Sequence, residues 1–258
     1  MFTNAKLSPF AGRIRHGRYT LHDVPYALPV NYPEEDNACH GFVYDRPFEP
    51  ARMELHDDHA TCILRYQYDG TIHGYPFSYT LELKYTLTEH EGLICSTRVT
   101  NCSSSAMPLS DGWHHLFDLG EPIDRLKLKL SVAAMIDLDA QRIPTGGKAP
   151  FPEFSSPADI GTRHFDSCFV VRGSNGRSVT ELSSERNDLH LSVWQESGAN
   201  RFKYLVVYTP PDRRSVAIEP MTSNVDAFNN GDGLMVLQPR QEYSSRMGIV
   251  LKKRDEIR

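Results

Sequence analysis

The chain has 258 residues, is 40% apolar and 24% charged, and carries a formal net charge of −5. That composition is ordinary for a globular protein able to bury a core without disulfides or metals, and it has no basic excess pointing to nucleic acid or an anionic membrane as partner. No apolar run approaches the roughly 18 residues that cross a bilayer, residues 1–19 lack the apolar centre of a secretory signal, and five cysteines without a CxxC pair predict reduced thiols in a cytoplasmic protein.

A period of two runs along most of the chain. "TCILRYQY" at 61–68, "YTLELKYTL" at 79–87 and "RLKLKL" at 125–130 alternate apolar and polar side chains, the pattern of half-buried antiparallel strands. The segment 139–165, rich in Pro, Gly and Ser, reads as a long irregular excursion with one helical turn at "PADI". Beyond it, "LHLSVW" at 189–194 and "YSSRMGIVL" at 243–251 alternate again. "KYLVVYT" at 203–209 is continuously apolar and predicts a strand covered on both faces. Tight turns are expected at "YDGTIHGYP", "TEHEG", "TGGK", "GSNGR" and "NNGDG". No window carries a helical apolar stripe. The expectation is one all-β domain over 1–258, built as two stacked sheets or a closed barrel.

Candidate chemistry is sparse. "HDDH" at 56–59 could suggest a metal, but three residues along a strand put His56 and His59 on opposite faces, so a solvated polar turn is expected and no metal site. There is no G-x-S-x-G elbow and no phosphate-cradling glycine loop. Acid–base groups remain. Glu219 ends an apolar strand just before Pro220, either as an edge gatekeeper, a salt-bridge partner or a tuned base. In "DGWHHLF" the adjacent His114 and His115 must face opposite sides of a strand, so they cannot share one site. His40 beside a glycine, Asp166 at the start of a strand and Arg13 in a basic run each also have an ordinary structural explanation.

Taken in order, these stretches resemble the aldose 1-epimerases, or galactose mutarotases. "SPFAGRIRHGRY" is similar to the family's Asn-Arg-Ile opening, with Arg13 at its substrate-binding arginine and Gly12 in place of the asparagine. "ACHGF" resembles Leu-His-Gly, with His40 at the first histidine. "DGWHHLF" resembles Gly-x-His-Pro-Tyr-Phe, with His114 at the second histidine and His115 in place of proline. "FDSCFVV" and "AIEPMTSNVDAFN" are similar to the blocks that carry a sugar-binding aspartate, here Asp166, and the catalytic glutamate, here Glu219.

The resemblance implies a large antiparallel β-sandwich that lacks the family's first strands. It also implies interconversion of the α and β anomers of a free monosaccharide without a cofactor. Glu219 would take the C1 hydroxyl proton and His114 would protonate the ring oxygen. The two would reach opposite edges of the sugar from strands facing across a concave sheet, with a base near pKa 4–5 and an acid near 6–7. Arg13, His40 and Asp166 would bind hydroxyls, with Tyr75 or Phe77 rather than Trp113 stacking on the ring. A hexose 6-phosphate 1-epimerase, its phosphate met by Arg13, Arg15, Arg18 or Arg46, and a non-catalytic carbohydrate-binding domain are the alternatives.

Overall fold

A computed structural model describes residues 2–172 and 176–253; most of the expected "GSNGR" turn lies outside them. Two antiparallel sheets carry the architecture. The first has seven strands, in the order Ala5–Leu7, Gly112–Phe117, Val216–Met221, Tyr204–Tyr208, Asp166–Val171, Val132–Leu138 and Pro144–Pro150. The second has nine, in the order Ala158–Asp159, Lys127–Leu130, Gly176–Ser184, Leu189–Ser197, Glu242–Lys253, Gly92–Asn101, Tyr79–Thr88, His59–Tyr68 and Glu49–Leu55. Helix is confined to the turn Ala227–Asn230 and two short 3₁₀ segments among the described residues, and no helix is long and apolar enough to cross a membrane.

Alternation builds the core. Tyr79, Leu81 and Leu83 are buried from one strand, Cys95 and Val99 from the next, and they belong to the same apolar cluster as Trp113, Val216 and Ile218 of the other sheet. Trp113 meets Tyr85 edge-on across the gap, with ring centroids 6.0 Å apart. The all-β sandwich expected from the sequence is the fold observed. The 139–165 excursion is more ordered than its composition suggests: Pro144–Pro150 forms a hairpin with Val132–Leu138, and the "PADI" helical turn is instead a short strand, Ala158–Asp159, paired with Lys127–Leu128. Backbone pairing across the sheets decides these segments, and turn composition does not report it.

Strand Tyr204–Tyr208 also differs from expectation. Leu205 and Val207 are buried in the core, whereas Tyr204, Val206 and Tyr208 are only partly buried. Their face looks away from the nine-stranded sheet, and residues 8–44 fold over it. This covering segment is pinned by two small ribbons, Arg13–Arg15 with Asn37–Cys39 and Arg18–Leu21 with Val24–Ala27. Gly41 makes the closest approach: it has φ +70°, and a Cβ there would lie 2.0 Å from the Ser8 carbonyl oxygen, so only glycine fits.

The "HDDH" segment is a tight turn between Glu49–Leu55 and His59–Tyr68. The His56 amide donates to the His59 carbonyl at 2.8 Å, and the two rings stack with centroids 4.3 Å apart. The opposite-face expectation fails because the chain reverses between them. Asp58 binds His59 Nδ1 at 2.7 Å on the exposed surface.

Candidate active site

Period-two alternation across four neighbouring strands gathers the floor of one cavity. His114 and Leu116 come from one strand, Glu219 and Met221 from the next, then Val206 and Tyr208, then Asp166. Residues opposite one another in the ladder share a face: Val206 pairs with Glu219, and Tyr208 with Asp166. The covering segment supplies the walls, chiefly Gly12, Arg13, Tyr32, His40 and Tyr44. The enclosed volume is about 460 Å³, within the range of small-molecule sites. The five residues singled out from the sequence, Arg13, His40, His114, Asp166 and Glu219, all line it.

His114 and Glu219 do not face each other across the sheet. They sit side by side on adjacent strands, between the paired residues His115–Ile218 and Gly112–Met221. His114 Nε2 lies 3.3 Å from Glu219 Oε1. This replaces the expected geometry of opposite sugar edges. The exocyclic oxygen and the ring oxygen of an aldose are both bonded to C1, so an acid and a base that must reach both suit neighbouring positions.

Electrostatics also depart from expectation. Burial, with the charge of Asp166, pushes the Glu219 carboxyl well above the usual carboxylate range, against the opposing pull of Arg13. Burial lowers His114 to about 4. These directions place the proton on the carboxyl and leave the imidazole neutral, the reverse of a base near 4–5 and an acid near 6–7. The two groups are close enough to exchange that proton directly, so they titrate as a pair.

His40 has a fixed tautomer. The Gly12 amide donates to His40 Nδ1 at 3.3 Å, and the His40 amide donates to the Gly12 carbonyl at 2.8 Å. Burial, together with His114 and Arg13, holds the ring pKa well below its ordinary value. The ring is thus neutral with its proton on Nε2 and is a hydrogen-bond donor. One nitrogen of His40, one of His114 and a carboxylate oxygen of Glu219 lie within 4.8 Å of one another. A metal would need an unprotonated Nε2 on His40, so this trio suits the oxygens of a neutral ligand better than a cation.

Arg13 is held rather than free. Its Nε donates to Glu35 Oε2, its Nη2 donates to Glu35 Oε1 at 3.1 Å, and Nη2 lies 3.8 Å from Asp166 Oδ2. Burial works against its charge, and Glu35 with Asp166 more than restores it. Asp226 braces the same arm by accepting from the Arg15 amide at 3.0 Å.

Sequence reasoning missed several neighbours. Arg142 forms an ion pair with Asp166, its Nε 3.1 Å from Oδ2, reaching in from a turn that Asp139 organises by accepting from the Gln141 and Ile143 amides. Phe2 packs edge-on against His40, with centroids 4.7 Å apart. Tyr32, Tyr44 and Tyr208 line the cavity. Only Tyr208 had a signal, its alternation with Val206. Tyr75 and Phe77, expected as stacking aromatics, are instead core residues exposed by 0% and 3%. Tyr75 donates its hydroxyl to the Pro108 carbonyl at 2.6 Å and does not line the cavity. Trp113 is buried on the sandwich side, stacked on His115 with centroids 5.2 Å apart.

Residues 2–250 match the family model described as aldose 1-epimerase. The chain is 25% identical to the maltose epimerase of Levilactobacillus brevis over 263 aligned positions, covering 91% of this chain and 75% of that protein. It is 24% identical to the uncharacterized protein YihR of Escherichia coli, covering 90% and 73% respectively. Among solved structures, a galactose mutarotase-like protein from Clostridium acetobutylicum superposes with a TM-score of 0.85 at 21% identity, over 96% of this chain and 78% of that one. A galactose 1-epimerase from Lactobacillus acidophilus superposes with a TM-score of 0.81 at 20% identity, over 96% and 79%.

Proposed function

Because this chain belongs to the aldose 1-epimerase family, we propose that it interconverts the α and β anomers of a free, uncharged hexose by acid–base opening and closure of the ring. The observation that carries this reading is the buried His114–Glu219 pair, 3.3 Å apart, beside the Nε2–H donor of His40. The pair holds one proton between its members. As sugar enters, Glu219 gives up that proton to His114 and becomes the carboxylate. Glu219 then accepts the C1 hydroxyl proton while the His114 imidazolium protonates the ring oxygen. The C1–O bond of the ring breaks to give the open aldehyde, C1 turns about the C1–C2 bond, and the reverse transfers close the ring on its other face. Only protons move, and each positioned group of this kind typically contributes about 10²–10⁴-fold. His40 and Arg13 donate to sugar oxygens, and Asp166 accepts from hydroxyls.

The charge of the lining favours a neutral sugar over a hexose 6-phosphate. Among the described lining residues one arginine, Arg13, stands against three acidic side chains, Glu34, Asp166 and Glu219. Of the other candidate phosphate arginines, Arg15 is paired with Asp139 at 2.6 Å and Arg46 with Asp45 at 3.5 Å, and Arg15, Arg18 and Arg46 are not among the residues that line this cavity. The five cysteines are all free, which supports a reducing, cytoplasmic setting.

Polarimetry on freshly dissolved α-glucose, α-galactose and glucose 6-phosphate tests the proposal. Acceleration of anomer exchange for a neutral sugar is the expected result. Acceleration of the phosphate alone would transfer the reading to a 6-phosphate epimerase, and saturable sugar binding without acceleration would leave a carbohydrate-binding domain.

A further inference from the structure

The nine-stranded sheet ends in Glu49–Leu55, whose outer edge pairs with nothing among the described residues. Edge strands blunt such an edge with charges, prolines or bulges, and this one carries Pro50, a bulge at Ala51 and the charges of Arg52 and Glu54. It nevertheless exposes Met53 by 75% and Leu55 by 86%. Both lie on the apolar face of the sheet, where Leu55 is in register with Ala60, Leu87, Leu93 and Ile249 on successive strands, and Leu87 is 55% exposed. Tyr85, on this same face, reaches Trp113 of the other sheet, so the exposed row continues the core beyond the cover that the seven-stranded sheet provides. Contiguous apolar surface of this kind marks an interaction site.

We propose that this edge pairs with the same edge of a second copy of the chain, antiparallel and centred on Met53. The sequence of the strand, Glu-Pro-Ala-Arg-Met-Glu-Leu, is complementary to itself in that register. Met53 falls opposite Met53 of the partner subunit. Arg52 and Glu54 form an ion pair within the chain; in this register Arg52 falls opposite Glu54 of the partner subunit, and Glu54 opposite the partner's Arg52, so the two intrachain pairs join into one alternating cluster of four charges. Leu55 falls opposite the small side chain of Ala51 of the partner subunit. Ala51 is the bulged residue of the pairing with His59–Tyr68, and it lies outside the central Arg52–Glu54 stretch. Pro50, which has no N–H to offer, closes the paired region. A closed two-fold contact of one strand with itself is the simplest oligomer geometry, and it turns two nine-stranded sheets into one continuous sheet. The active-site cavity lies on the far face of the other sheet, so the pairing leaves it open.

Light scattering on size-exclusion fractions, from micromolar to millimolar protein, provides the test. The wild-type chain is expected at twice its 29.3 kDa mass. Arg52→Glu sets two glutamates opposite each other and Glu54→Arg sets two arginines opposite each other, so each single variant is expected at the mass of one chain. The double variant Arg52→Glu/Glu54→Arg exchanges the signs and is expected to restore the dimer, a recovery that a misfolded or merely destabilised chain would not give. Met53→Lys is expected to be monomeric. A wild-type monomer throughout the range, dimeric single variants or a monomeric double variant would each overturn the proposal.

Discussion

His114 and Glu219 are neighbours across adjacent antiparallel strands, with Nε2 3.3 Å from Oε1 and both side chains almost wholly buried. No described group forms a hydrogen bond with His114 Nδ1, so the imidazole is held by packing and by its contact with the carboxylate. Replacing Glu219 by Gln keeps the shape but removes the proton acceptor. The expected result is a loss of about 10²–10⁴-fold in kcat with an unchanged circular dichroism spectrum. His114→Asn is expected to lose a comparable factor. Polarimetry of either variant at near-wild-type rate would remove the pair from the chemistry.

The pH dependence of turnover follows from the same pair. Turnover needs the pair to hold one proton. Burial raises the Glu219 pKa, so loss of that proton sets an alkaline limb well above the ordinary carboxylate range, and a second proton on His114, whose pKa burial lowers to about 4, sets the acid limb. An acid limb of kcat/KM in the ordinary histidine range would contradict this environment.

His115 separates stability from catalysis. It stacks on Trp113 in the sandwich, and burial lowers its pKa from 6.5 to about 4. Between those values the unfolded chain binds a proton that the folded chain does not, so this residue costs stability as pH falls from 6.5 toward 4, by up to about 1.4 kcal/mol per pH unit. His115→Leu is expected to keep activity and to gain stability over wild type progressively in that window, read from urea melts at several pH values. Equal loss of activity at His114 and His115 would defeat the separate roles.

Arg142 holds Asp166 from a backbone with φ +59°, a region that glycine occupies without strain. Arg142→Gly should not lower the melting temperature, yet it releases the Asp166 carboxylate. We expect KM to rise several-fold with kcat little changed, the signature of lost uniform binding. An unchanged KM would make the ion pair merely structural.

Lys6 and Asp111 form an ion pair at 2.6 Å inside the sandwich, 5% and 0% exposed, and Lys6 also donates to the Gly112 carbonyl at 3.0 Å. This pair joins the edge strand Ala5–Leu7 to the His114 strand. Lys6→Met leaves a buried carboxylate unpaired and should cost about 3–5 kcal/mol, whereas Lys6→Met/Asp111→Leu should recover most of it. Chemical denaturation of the two variants distinguishes a pair that is needed from one that is only costly to break.

Strand alternation and a few short blocks of the chain were enough to indicate the class of fold and the cavity's main polar residues. Period-two alternation is a local consequence of strand geometry, so Tyr79–Thr88 and Leu189–Ser197 were legible. The opposite facing of His114 and His115 followed from the same rule. The resemblance of five short blocks singled out Arg13, His40, His114, Asp166 and Glu219, which the fold brings to one cavity. Alternation could not reveal which strands lie next to each other. That ordering makes His114 and Glu219 side-by-side neighbours, exchanges the expected order of their pKa values, and sends Tyr75 and Phe77 into the core. Arg142 and Glu35 were equally out of reach, because ion pairs spanning more than twenty residues of chain exist only after loops have packed. Composition misread 139–165 for the same reason: a strand rich in Gly and Pro is recognised by its partner's hydrogen bonds, and those belong to the tertiary structure.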